Sequence, residues 1–201
     1  LKKIYYIVSF VIFIMMLSGC SSSNESIATI QANTDSEQVK TFKNLNIGRL
    51  FEFNFILNDA DKTWVEIWVE QYENGELSEE PLSKLSYGLS PNKVDKGNIL
   101  FGMMNTDKNI ISMFLAAPEI RTSPEIIENL KVPNSMEAWE YAIGEEKQEL
   151  EYGKTYLLAV YRQKNGDSIR SGYDYQDEEE LKNMLNEHTM VCLLKIKLEE
   201  T

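Results

Sequence analysis

The 201-residue sequence predicts a mainly β chain folded as an antiparallel sandwich. Three observations carry that prediction. Apolar residues recur at period two through most of the chain, turn residues punctuate the runs, and roughly six or seven short strands result. Strands that are apolar on one side need a second sheet to cover that side.

In "RLFEFNFIL", Phe51, Phe53, Phe55 and Leu57 share one face, with Glu52 and Asn54 on the other. Asn58 to Asp61 supplies a turn. In "TWVEIWVEQYENGE", Val65, Ile67 and Val69 point one way and Trp64, Glu66, Trp68, Glu70 and Tyr72 the other. Asn74-Gly75 then closes a hairpin, because both residues tolerate positive φ. "NILFGMM" and "NIISMFLA" flank the turn-like "NTDKN" and form a second hairpin. Its strands are apolar on both faces, which predicts cover on both.

Two helical insertions are expected between Glu119 and Glu149. In "TSPEII", Ser123 fits an N-cap and Pro124 the first helical position. "SMEAWEYAIG" fits a helix capped by Ser135, with Trp139 and Ile143 one turn apart, and fits period two almost as well. Farther on, "DEEELKNMLNEH" places acids at a helix N-terminus, where they favour the dipole. Leu181, Met184, Leu185 and His188 line the face that this helix should pack on the sandwich. The last strand, "MVCLLKIKL", sets Met190, Cys192, Leu194, Ile196 and Leu198 on one side, which makes Cys192 a buried and inert thiol.

The stretch "LEYGKTYLLAVYRQ" spaces Leu150, Gly153 and Tyr156 in a way that resembles the L-x-P-G-x-x-Y entry to a late strand of fibronectin type III and related immunoglobulin-like domains. Tyr152 stands where the proline usually does. The resemblance implies an immunoglobulin-like sandwich with a tyrosine corner, the Tyr156 hydroxyl bonding back to nearby backbone.

The N-terminus predicts an address. Lys2 and Lys3 precede an apolar run from Ile4 to Leu17, the charged and hydrophobic regions of a secretory signal. The run is shorter than the ~20 apolar residues of a spanning helix. It ends in "LSGC", Leu17 to Cys20, which resembles the lipobox of bacterial lipoprotein precursors. That resemblance implies cleavage after Gly19 and a thioether from Cys20 to diacylglycerol, with the domain on the extracytoplasmic face of the cell membrane. With Cys20 lipidated, Cys192 has no partner for an intramolecular disulfide. The organisation expected is a signal helix over 1–19, a polar tether over 20–38 and one β-sandwich domain over 39–201. A flexible segment of the tether's length reaches roughly 25 Å.

Removing Lys2 and Lys3 from 20 basic side chains leaves 18 against 32 acidic ones, a formal charge of −14. Nucleic acid is excluded as a partner, since phosphate binding needs clustered Lys and Arg. "NDADK", Asn58 to Lys62, lacks the glycine and closing glutamate of a calcium loop. The chain has no GxSxG, no HExxH, no phosphate-cradling glycine loop and one histidine, His188. A non-enzymatic chain without metal or cofactor is therefore expected.

The candidate ligand site is the stripe Trp64, Glu66, Trp68, Glu70 and Tyr72. Indoles beside carboxylates stack on sugar rings or hold a cation. Alternatively the two tryptophans are covered and only stabilise the sheet. The function expected is a lipid-anchored envelope binding or interaction domain, its ligand unidentified, with envelope carbohydrate and protein as the candidates. The alternatives are a structural or inhibitory protein that offers a sheet edge to a protein partner, and a surface hydrolase.

Overall fold

A computed structural model of the chain describes residues 26–107 and 110–201. The expected signal peptide, Cys20 and the first part of the tether lie outside those residues. Among the described residues, thirteen strands form two antiparallel sheets packed as a sandwich. The first sheet runs β11 (Gln148–Leu150), β1 (Ala28–Ala32), β2 (Gly48–Leu57), β6 (Asp95–Asp107), β7 (Ile110–Ala117), with the short β8 (Ile120–Arg121) and β9 (Glu125–Glu128) both pairing with β7. The second runs β10 (Ser135–Tyr141), β12 (Thr155–Asn165), β13 (Met190–Glu200), β3 (Thr63–Glu73), with β4 (Glu76–Leu77) and β5 (Ser83–Gly88) both on the far side of β3.

The core is what the alternation dictates. Phe53, Phe55 and Leu57 from one sheet and Val65, Ile67, Val69, Cys192, Leu194 and Ile196 from the other are all buried in one cluster. Burial pushes the Cys192 thiol up, so it stays protonated. The β3–β4 hairpin turns on Asn74 and Gly75 with φ of 51° and 85°. A Cβ on Gly75 would meet the Oδ1 of Asn186, a side-chain end that can turn aside, so it is the left-handed φ that calls for glycine here.

Two expectations about the chain's organisation are corrected. Residues 28–38 are not tether: β1 lies inside the first sheet, paired with β2 on one side and β11 on the other. Ala28, Ile30 and Ala32 are buried at period two, a pattern that small alanines conceal in the sequence. The helix α1 (Glu37–Leu45) follows at once, capped by Ser36, whose hydroxyl accepts from the Val39 N–H at 3.1 Å. The same hydroxyl donates to Glu52 at 2.6 Å, a buried carboxylate that also accepts from Asn33 and Asn98. Helix α1 rests on the outer face of the first sheet, Phe42 against Phe114 with ring centroids 6.4 Å apart. Gly102 leaves room for that arrangement, because a Cβ there would collide with the Phe114 ring.

The second correction concerns "TSPEII" and "SMEAWEYAIG", which are strands β9 and β10. Sheet partners override the capping signals: β9 pairs with β7, and β10 with β12 over its whole length. Trp139 of β10 lies 4.0 Å from Tyr161, and Tyr141 packs edge-on to Phe51 and Phe53. The helix in "DEEELKNMLNEH" does form, as α2 (Glu178–Glu187), capped by Asp177. Met184, Leu181 and Leu185 pack with Leu157, Val160, Val191 and Leu193 in a second cluster on the outer face of the second sheet. No helix among the described residues is long and apolar enough to cross a membrane.

The hydroxyl of Tyr156 accepts from the Glu151 backbone N–H at 3.0 Å, across the turn at Gly153. Tyr156→Phe is expected to cost about 1 kcal/mol, the usual net worth of one hydrogen bond. Urea denaturation with an unchanged slope would measure it, and an unshifted midpoint would mean that water replaces the bond at no cost.

Candidate functional site

Strand alternation turns Trp64, Glu66, Trp68, Glu70 and Tyr72 onto the outer face of the second sheet, where all five are half-buried. Register then decides their neighbours. Trp68 stands opposite Lys84 of β5 on one side and Lys195 of β13 on the other. Each lysine leans to a glutamate two positions from Trp68: Lys84 to Glu66 at 2.9 Å, Lys195 to Glu70 at 2.7 Å. The Trp68 indole N–H donates to Glu70 at 2.9 Å, and the Tyr72 hydroxyl donates to the same carboxylate at 3.0 Å.

Glu70 is thus the centre of three charge-assisted or hydroxyl bonds. Burial alone would raise its pKa, but the bonds from Lys195 and Trp68 and the Lys195 charge outweigh burial and hold it below the ordinary 4.5. Burial and the adjacent Glu70 charge push the Tyr72 phenol up to about 12, so it remains a donor.

Above this floor, the chain between β4 and β5 forms a lip. Ser78 N–H bonds to the Gln71 carbonyl and Leu82 N–H to the Val69 carbonyl, both at 2.9 Å. The intervening Glu79, Glu80 and Pro81 are pushed outward. Lip and floor enclose a cleft of about 270 Å³ lined by Glu66, Trp68, Glu70, Leu77, Lys84 and the lip residues. Of the five residues singled out in the sequence, the cleft brings together Glu66, Trp68 and Glu70. Trp64 lies at the other end of the strand against Gly88, and Tyr72 packs toward the α2 cluster. Sequence reasoning missed Lys84, Lys195 and the lip. The signal for Lys195 was present, since "LLKIKL" alternates it away from the core.

A second polar constellation sits beneath α2. Arg162 is fully buried and pairs with Glu140 of β10 at 2.7 Å. It also donates to the Arg170 carbonyl at 2.9 Å and lies 4.7 Å from the Tyr173 ring centroid. Glu140 in turn accepts from the Gly172 N–H at 3.2 Å and from the Tyr175 hydroxyl. His188, also buried, places Nδ1 at 2.7 Å from the Met184 carbonyl and Nε2 at 3.3 Å from Arg162. A neutral ring that donates from Nδ1 and accepts at Nε2 satisfies both contacts. Burial, then the Arg162 charge, hold its pKa below 6.5. This group clamps residues 170–175 to the sheet and leaves His188 enclosed by packing. Among the described residues, no cluster of three or more His, Cys, Asp or Glu is arranged to hold a metal ion.

Both lowered groups make acid destabilising. His188 contributes its stability in full above about pH 6.5, and loses it as pH falls toward the lower folded value; Glu70 does the same below about pH 4.5. Denaturation across a pH series is therefore expected to show a first decline removed by His188→Gln and a second removed by Glu70→Gln. Unaltered pH profiles in those variants would contradict these assignments.

Fold and cleft together define a two-layer antiparallel sandwich with a half-buried indole–carboxylate surface on its outer face. The YgaN domain model matches residues 46–198, which is most of the chain, and this chain belongs to that family. Strand β1 and all of α1 precede the matched region. A 72-residue stretch is 29% identical to protein nucleotidyltransferase YdiU of Clostridium botulinum (strain Eklund 17B / Type B), covering 36% of this chain and 15% of that protein. So short a share of the relative carries none of its activity over. No solved structure matches the chain significantly.

Proposed function

We propose that this chain is a lipid-anchored, non-catalytic binding module on the extracytoplasmic face of a bacterial cell membrane, held by diacylglycerol on Cys20 and taking an envelope carbohydrate against Trp68. The observation that supports the site is the state of Trp68. Its N–H is already committed to Glu70, and its flanking charges are paired with each other, so the indole face is what remains on offer at the cleft floor. A fixed flat apolar face with polar groups around its rim suits a sugar ring. Because Glu66 and Glu70 are engaged, ligand hydroxyls would meet Ser78, Glu79 and Glu80 of the lip. Those acids disfavour anionic polymers.

Trp68→Ala is expected to cost about 1–2 kcal/mol, less than the 3–5 kcal/mol of a fully buried tryptophan, because the indole is half-exposed. Retention on insoluble cell-wall polysaccharide should fall at least tenfold in the same variant. Stability lost at the full buried value with retention unchanged would assign Trp68 to packing and retire the cleft as a ligand site.

A further inference from the structure

We infer that the loop between β5 and β6 rests in the headgroup layer of the membrane that carries Cys20, so that the sandwich stands on this end with the Trp68 cleft's lip and the β3–β4 hairpin held outward. This rests on the lipid anchor proposed above. Strand β1 enters the fold at Ala28, opposite Leu57, and that entry point identifies one end of the sandwich. Asn58 holds it there, its backbone N–H on the Ile27 carbonyl at 2.8 Å and its side chain on the Ser26 carbonyl at 2.7 Å. The β5–β6 loop is tied to the same turn, with Ala60 N–H on the Lys93 carbonyl at 2.9 Å and Ser90 N–H on the Ala60 carbonyl at 3.0 Å. Cys20 precedes Ser26 by only about six peptide units, at most about 20 Å of extended chain. A lipid on Cys20 therefore keeps this end at the bilayer.

What this end exposes fits that surface. Leu89 is 57% exposed and Val94 40%, and Ile120, the first residue of β8 after the neighbouring β7–β8 turn, is 38% exposed. Leu89 also holds a left-handed φ of 53°, a conformation that Asn or Gly adopts more readily. Its N–H on the Thr63 carbonyl at 3.2 Å fixes it there. Lys93 and Lys96 are exposed on either side of Val94, while the loop's acid, Asp95, is 9% exposed and accepts from Ser90 at 3.0 Å. In the adjoining elements Asp61, Glu119, Glu151, Glu199 and Glu200 are exposed together with Lys62, Arg121 and Lys154, so the cationic surface at this end is the loop itself. In a chain of net charge −12, this loop is both apolar and cationic at its surface. Apolar side chains at the acyl boundary with lysine heads at the phosphates is the arrangement of interfacial segments. Lys93 and Lys96 supply the local attraction to anionic headgroups that the whole chain lacks.

The test uses the full chain, lipidated in the expressing cell and reconstituted into vesicles of phosphatidylethanolamine and phosphatidylglycerol. A nitroxide is placed at Leu89→Cys, at Ile120→Cys or, on the lip side, at Leu77→Cys; Cys192 is buried and takes no label. Collision with oxygen should exceed collision with an aqueous nickel complex at positions 89 and 120, and the reverse should hold at 77. Aqueous behaviour at all three positions in protein that stays with the vesicles would overturn the orientation and leave the anchor standing. Protein that takes no fatty-acid label and washes off, like its Cys20→Ala variant, would overturn both.

Discussion

Arg162→Ala is expected to destabilise the domain by about 3–5 kcal/mol, the range for removing one partner of a buried ion pair. The guanidinium is fully buried and holds Glu140, the Arg170 carbonyl and His188 at once, so its loss frees the 170–175 segment together with a carboxylate of low exposure. Glu140→Gln should cost a comparable amount by stranding the buried cation. A double variant, Arg162→Ala with Glu140→Gln, should cost clearly less than the two single losses added together, because their coupling is removed with both partners. Urea denaturation of the four proteins measures the coupling. Additive losses would show that the pair contributes nothing as a pair.

Phe53→Ala should be as severe, about 3–5 kcal/mol, for a different reason. Phe53 is fully buried on β2, in register with Ala32 of β1 and Ile99 of β6, and meets the Tyr141 ring edge-on at 5.3 Å. Deleting it opens a cavity between the two sheets, where three strands and the β10 edge cannot all close in. Phe53→Leu should recover more than half the loss. An alanine variant within 1 kcal/mol of the parent would show that β10 collapses inward to fill the space.

The period-two reading located β2, β3, β6, β7, β12 and β13, because in each strand the apolar side is continuous and long enough to outvote local preference. It failed where the deciding contact lies elsewhere in the chain. Ser123 and Pro124 are sound helix-start residues, yet β9 has a ready partner in β7 and ends within a few residues at Asn129, whose φ is positive. "SMEAWEYAIG" was open between two periods, and the Trp139–Tyr161 contact closes the choice. Strand β1 was hidden because two of its three inward residues are alanine, which barely register as apolar. The stripe of the candidate site was legible for the same reason as the strands. Its meaning was not: Lys84 and Lys195 reach Trp68 only through the register of β3 with two strands, one of them more than a hundred residues away. Arg162 and Glu140 are joined by register in the same way, offset by two positions across β10 and β12.

The placement of β1 has a mechanical consequence if the proposed lipid on Cys20 tethers the domain. Drag on the sandwich would then be transmitted through Ala28, the end of β1 nearest Cys20 in the chain. The pull runs along the strand axis, so its five register pairs with β2 and three with β11 are loaded in shear, all at once. A hairpin pulled at its open end would unzip bond by bond; β1 has to slide as a unit, dragging Ile30 out of the core, before the domain can be pulled loose from its leash.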